Sequence, residues 1–229
     1  MQIAEVPAGI SLGETVGPQV YRLLRRRIIQ AELLPGERLS ESEVAKSLSV
    51  SRQPVREAFI KLSEEGLVQV LPQRGTFVTR ISVAAVMDAR FVREAIEADI
   101  VRMVAESRTA GAIDELRRQV AQQKGVLHSD RAAFLRLDEL FHRTLAASAG
   151  KSYAWNVIEG VKAQMDRVRF LSVDDMHVTR LIDQHERIVE AIASGDQNGA
   201  EQAMRLHLRE ILNSLPAIAS GRAELFDRD

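Results

Sequence analysis

The feature that most constrains this chain is a three-residue connection, Ser49-Val50-Ser51, between two short helical stretches in its first third. So short a joint fixes the angle at which the two helices pack. The first helix is expected earlier, over residues 18–31. Pro18 is tolerated in its first turn, and Val20, Leu23, Leu24 and Ile28 recur at helical spacing before Leu34-Pro35-Gly36 stops it. Ser40, with Glu43 three residues on, reads as the capped start of the second, which turns Val44, Ala45 and Leu48 inward. Ser51 caps the third, Pro54 sits in its first turn, and Val55, Ala58, Phe59 and Leu62 face a core until Gly66 ends it. The runs 67–71 and 76–79, joined by Pro72-Gln73-Arg74-Gly75, predict a hairpin. Three helices and a hairpin in this order are the plan of a winged helix-turn-helix, which sets one helix into a DNA major groove.

After a linker at 80–83 the chain changes character. Helices are predicted over 84–107, 110–127, 131–148, 151–173, 178–194 and 197–217, with Ser129 or Asp130 capping the third of them. No sequence unit repeats, so these form a bundle rather than a solenoid. The expected fold is mainly α: a winged helix-turn-helix over 16–80 and an all-helical bundle over 84–219. A flexible arm over 1–15 and a flexible tail over 220–229 flank them. Only 4% of the residues are aromatic within a 45% hydrophobic composition, so aliphatic side chains must fill both cores.

Composition excludes several classes. There is no cysteine, hence no disulfide, thiolate metal site or cysteine nucleophile, which fits a reducing cytoplasm. No apolar run approaches the roughly 20 residues needed to span a bilayer, and no basic leader followed by an apolar stretch opens the chain. The net charge of -1 is unevenly placed: residues 1–80 carry 11 Lys/Arg against 9 Asp/Glu, and residues 81–229 carry 20 against 23. The positive side falls where a nucleic-acid surface is expected.

On the third helix Arg52 and Arg56 lie four residues apart on one face, with Gln53 beside them. A guanidinium fork matches two acceptors on guanine, and a glutamine amide can pair with adenine. Ser51 and the helix start suit a phosphate. Gln73, Arg74 and Gly75 at the hairpin tip can reach a minor groove or backbone. The competing reading, arginines solvating an ordinary helix face, stays open on rhythm alone.

The stretch from Pro35-Gly36-Glu37-Arg38-Leu39-Ser40-Glu41, through Leu48-Ser49-Val50-Ser51-Arg52-Gln53-Pro54-Val55-Arg56-Glu57-Ala58, to Leu62 and Glu65-Gly66-Leu67-Val68 resembles the DNA-binding domain of the GntR family of bacterial regulators. Gly75-Thr76-Phe77-Val78 resembles its wing. The resemblance implies that Arg52 and Arg56 are the main DNA contacts, with Arg38 near the backbone and Gln73–Gly75 as the wing tip. Where many members carry Arg after the Ser-Glu pair, this chain has Ser42, so a contact from that position is in doubt.

All five histidines lie in the second part. Asp138 and His142, four apart, share a helix face, while His185 and His207 fall on the last two helices. One carboxylate and three imidazoles suit a borderline divalent cation. Spacing also allows a local Asp/His contact and separate core histidines. A hydrolase reading, with water activated at such a site, is an alternative, although Glu139 and Glu186, which flank ligands in sequence, are expected to turn outward on their helices. His128 and His177 are assigned to surface or helix-start roles.

Residues 84–215 resemble the FCD sensor domain of the fatty-acid-regulator-like branch of the family. Arg93 with Glu97 matches its opening helix, Asp138 and His142 its Asp-x-x-x-His signature, and His185 and His207 its last two histidines. The resemblance implies a divalent metal on Asp138, His142, His185 and His207, zinc first, with nickel or manganese as options. It also implies a small carboxylate effector, for which Arg93 is an anchor. The expected protein is a cytoplasmic, non-enzymatic transcription regulator, a homodimer on palindromic double-stranded DNA, acting as a repressor and not membrane-bound. A regulator with a purely structural metal and no effector is the second reading.

Overall fold

The computed structural model describes residues 14–126, 130–172 and 175–227. Most of the predicted N-terminal arm, together with His128 and Ser129, lies outside them. The chain divides into two compact units. One runs up to Val83 and takes in the residues from Arg222 onward, and the other is Ala84–Gly221.

In the first unit, α1 (Val16–Ile29), α2 (Glu41–Ser47) and α3 (Arg52–Glu64) bury Val20, Leu24, Ile28, Val44, Ala45, Val55, Ala58, Phe59 and Leu62. The side chain of Ser40 accepts from the Glu43 amide at 3.4 Å, as its cap position predicts. Ser51 occupies the N-cap of α3 but its side chain makes no capping hydrogen bond. The hairpin is β2 (Val68–Leu71) and β3 (Gly75–Val78), with Leu71 opposite Gly75. A third strand, β1 (Arg38–Leu39), pairs antiparallel with β3 and puts Arg38 opposite Phe77, giving the order β1-β3-β2. The sequence reading missed β1 because two residues carry no alternation of their own.

The end of the chain departs from expectation. Residues 220–229 were expected to be a flexible tail. In the structure Ala223–Leu225 form a 3-10 turn, and Leu225 and Phe226 are buried. Phe226 bridges Ile81 in parallel. The Ile81 amide donates to the Leu225 carbonyl at 2.8 Å, and the Asp227 amide donates to the Ile81 carbonyl at 3.0 Å. An apolar pair with a bonded backbone outweighs the entropy of a free end.

The second unit is all helical: α4 (Val83–Ser107), α5 (Ala110–Gly125), α6 (Arg131–Ser148), α7 (Ser152–Val161), α8 (Ala163–Ser172), α9 (Asp175–Ser194), α10 (Gln197–Arg209) and α11 (Ile211–Gly221). The Asp130 side chain caps α6 through the Ala132 amide at 2.8 Å. Two predicted helices are each two. The stretch 151–173 breaks at Lys162, which is buried with its Nζ 2.7 Å from Asp166 Oδ2. The stretch 197–217 breaks at Glu210, whose buried carboxylate takes Arg180 at 2.6 Å and Gln184 at 2.9 Å. The main core gathers Val101, Val104, Leu116, Phe134, Phe141, Leu145, Ile158, Ile188, Ile192 and Met204, several of them from the helices that carry His142, His185 and His207. Among the described residues no helix is long and apolar enough to cross a membrane.

Candidate nucleic-acid interface and metal centre

Burial of Val55, Ala58, Phe59 and Leu62 turns the opposite face of α3 outward. Ser51, Arg52, Gln53 and Arg56 are all exposed, the two arginine side chains by 67% and 60%. Both guanidiniums touch one carboxylate, that of Glu41: Arg52 Nη2 lies 3.3 Å from Oε2 and Arg56 Nε 3.2 Å from Oε1. The Gln53 amide donates to Glu57 Oε1 at 3.1 Å.

The hairpin tip is exposed at Gln73 and Arg74. Gly75 has φ +109°, and a Cβ there would stand 2.8 Å from Arg38 Nε. The left-handed backbone is what favours glycine here, while a Cβ would also have to displace the flexible end of Arg38. The approach brings the Arg38 side chain against the wing strand.

The four residues singled out in the second unit come together. Asp138 and His142 from α6, His185 from α9 and His207 from α10 are all buried, and each offers a ligand atom within 4.8 Å of the others. The imidazole Nε2 atoms converge: His142 to His207 is 3.1 Å and His185 to His207 is 3.3 Å. Asp138 Oδ1 stands 3.6 Å from His185 Nε2 and has no hydrogen-bond partner.

Each Nδ1 faces an acceptor. For His185 it is Gln123 Oε1 at 2.7 Å, for His207 Gln184 Oε1 at 3.0 Å, and for His142 a Glu97 carboxylate oxygen. The amide orientations are set independently, because Gln123 Nε2 donates to the Leu137 carbonyl and Gln184 Nε2 to Glu210. For His185 and His207 the proton therefore sits on Nδ1 and the lone pair on Nε2. Burial pushes His185 down to about 3 and holds His207 well below 6.5, so both rings are neutral. Lone pairs of neutral rings facing one another at such distances repel unless a cation lies among them. A tetrahedral ion with bonds of about 2.0–2.1 Å spaces its ligand atoms by about 3.3 Å, close to what is seen. The donor set fits a divalent metal.

Burial alone would raise the Asp138 carboxyl, but the guanidinium of Arg169 and the neighbouring imidazoles hold it well below its usual range. Arg169 reaches Asp138 Oδ2 directly from α8. Arg93 is buried on α4 and its Nε bonds Glu97 Oε1 at 2.6 Å, while its Nη2 has no hydrogen-bond partner. Burial opposes ionisation of Glu97, yet Arg93 and then His142 bring its carboxyl down to about 2. Arg93, Arg169, His177, His207 and Glu210 line a cavity of about 30 Å³ beside the cluster, room for a water or two.

The sequence reading missed Arg169, Gln123 and Gln184, and set His177 apart from the site. Arg169 lies 31 residues from Asp138, on a different helix, so spacing carries no signal. Gln123 had one: Leu116, Gln119, Val120 and Gln123 make a buried stripe on α5, and amides within an apolar stripe need partners. Glu139 and Glu186 pair with Arg143 and Lys124 near the surface, in keeping with the outward turn expected of them.

A basic winged helix-turn-helix joined to a helical unit with a buried four-ligand pocket defines a ligand-sensing, DNA-binding transcription regulator. Residues 17–78 match the bacterial regulatory proteins of the gntR family and residues 88–210 match the FCD domain. The chain is 40% identical over 220 residues to the HTH-type transcriptional repressor RspR of Escherichia coli (strain K12), covering 94% of this chain and 96% of that one. An HTH-type transcriptional regulator in an unstable DNA locus of Streptomyces ambofaciens is 38% identical over 218 residues, 95% of this chain and 92% of the other. Among solved structures, a GntR regulator from Rhodococcus sp. RHA1 superposes with a TM-score of 0.70 at 27% identity, covering 88% and 98% of the two chains. E. coli McbR/YncC shares the fold, with a TM-score of 0.74 at 20% identity over 92% and 99%. The chain belongs to the GntR family, in its FCD-bearing branch, a family of regulators and not of enzymes.

Proposed function

We propose that this protein is a metal-containing repressor whose hold on DNA is set by a small organic acid. Its α3 enters a major groove. Arg52 and Arg56 read guanine, Gln53 reads adenine, and the Ser51 hydroxyl with the first amides of α3 takes a phosphate. Arg38, Gln73, Arg74 and Gly75 form a second contact on the flanking backbone or minor groove. One such unit reads few base pairs, so a homodimer on a palindromic operator supplies the affinity. Repression is the activity in the name of the Escherichia coli relative.

Asp138, His142, His185 and His207 would hold the ion, zinc first with nickel and manganese as alternatives. When bound, the ion supplies Lewis-acid affinity for an anionic oxygen. Arg93 would orient a carboxylate through its unpaired Nη2, and burial excludes water from the pair. Effector occupancy would then shift the helices lining the cavity and bias the linker at residues 80–83, because a ligand changes an equilibrium only through differential affinity for its states.

The observation that carries this reading is the convergence of three Nε2 atoms and one carboxylate in a single buried pocket. Metal content of the purified protein and of His185→Ala tests it, and equal content in both removes His185 from the ligand set. Footprinting of Arg52→Ala and Arg56→Ala tests the DNA face, with unchanged affinity and preference in both ruling it out. The small cavity also favours a second reading, a structural metal without an effector. Operator binding titrated with simple mono- and dicarboxylates separates the two.

A further inference from the structure

We propose that Glu41 is a specificity-determining residue that positions Arg52 and Arg56 and keeps them from indiscriminate phosphate binding. The inference rests on α3 being the recognition helix. Glu41 stands in the first turn of α2, and each of its carboxylate oxygens takes a different arginine, Oε2 receiving Arg52 Nη2 and Oε1 receiving Arg56 Nε. Among the described residues Glu41 is the one carboxylate that either guanidinium contacts, and it is itself only 24% exposed. The neighbouring Ser42 brings no competing cation, its hydroxyl lying 2.9 Å from Ser40 Oγ.

Two consequences follow from this geometry. One carboxylate against two guanidiniums leaves this trio with one positive charge uncompensated, so a DNA anion is still attracted to it. Each arginine also keeps further N–H groups for a base: Arg56 is held by its Nε side, which leaves the terminal amino groups, and Arg52 by one terminal group. Long side chains fixed at one end lose less freedom when they meet a base, which favours a cognate site. A random duplex offers mainly phosphates, and these must compete with the carboxylate while being repelled by it. Both effects raise discrimination rather than raw affinity.

The test uses the full-length dimer with its metal retained. Binding is followed by fluorescence anisotropy on two duplexes of equal length: the operator footprinted upstream of its own gene, and a random sequence. Wild type is compared with Glu41→Gln, Glu41→Asp, Arg52→Ala and Arg56→Ala over a salt series. Removing one negative charge in Glu41→Gln should tighten random-duplex binding about threefold or more, and the operator-to-random ratio should fall by about tenfold. Glu41→Asp keeps the charge but is one methylene short of spanning both arginines. Its random-duplex affinity should stay within about twofold of wild type, while its ratio falls by about threefold or more.

An unchanged ratio in Glu41→Gln overturns the proposal. So does a wild-type ratio in Glu41→Asp, which would make charge alone sufficient. Arginine variants with unaltered preference would overturn the recognition-helix reading and this proposal with it. Defective arginine variants beside an unaffected Glu41→Gln overturn this proposal only. Far-UV circular dichroism and melting of each variant confirm that the fold is kept.

Discussion

Gln123 and Gln184 fix the rings of His185 and His207 by accepting their Nδ1 protons, and the Glu97 carboxylate stands directly against Nδ1 of His142. The three imidazoles of the candidate ligand set are therefore faced by three groups outside it, and its carboxylate is held by Arg169. The His207 partner is itself anchored, because Gln184 donates to Glu210 and Glu210 is held by Arg180. Gln123→Leu leaves a buried Nδ1–H of His185 unpaired and frees the ring to turn. Such changes weaken metal binding by about 10–100-fold. Competition against a chromophoric chelator should show that loss with the fold intact, and unchanged affinity would mean that ring orientation is set by packing alone. Stacking of Phe141 on His185, with centroids 4.3 Å apart, is the packing that would do it.

At the scale of elements, one acid ties α4 to α10. Glu94 is buried, with Arg90 at 2.5 Å on its own helix and Arg205 at 3.2 Å and Arg209 at 3.0 Å on α10. The Arg209 hydrogen bond, outweighing burial and aided by Arg205, lowers its carboxyl below 4.5. The folded state then binds fewer protons than the unfolded chain below that value, so the ion cluster stabilises fully above about pH 4.5 and less as the pH drops further. Urea unfolding should find Glu94→Gln less stable than wild type at pH 7, with the gap narrowing below pH 4.5. A gap that holds constant with pH would assign the loss to packing rather than charge.

The elements themselves were legible where a periodic apolar set meets a capped start, as on α3, whose four predicted inward residues are all buried. The four clustered residues were legible too, because Asp138 and His142 sit one turn apart and the resemblance supplied His185 and His207. What escaped the sequence depends on distant partners. The breaks at Lys162 and Glu210 fall where a buried charge meets side chains on other turns and helices, and β1 exists only because β3 pairs with it. Hydrophobic periodicity is blind to all three.

At the scale of the whole molecule, the last described residues belong to the core of the first unit. The chain passes between its two units twice, once after Val83 and once after Gly221. The second passage ends in Phe226, 3% exposed, and in backbone hydrogen bonds to Ile81, itself 1% exposed and inside the linker. A DNA-binding unit of this size has a total stability of about 5–15 kcal/mol. Truncating a buried phenylalanine to alanine removes about 3–5 kcal/mol, a large share of that. Phe226→Ala should therefore lower the melting temperature of the N-terminal unit and speed proteolysis around residues 79–84, while metal content stays at the wild-type level. Ending the chain at Gly221 should do the same more strongly, since it also leaves the Ile81 amide and carbonyl without partners. Limited proteolysis read by mass spectrometry, beside elemental analysis, separates this from global unfolding. If both variants melted and were cleaved like the wild type, the tail would be an ornament on a core already complete, and the linker would owe its order to the helices alone.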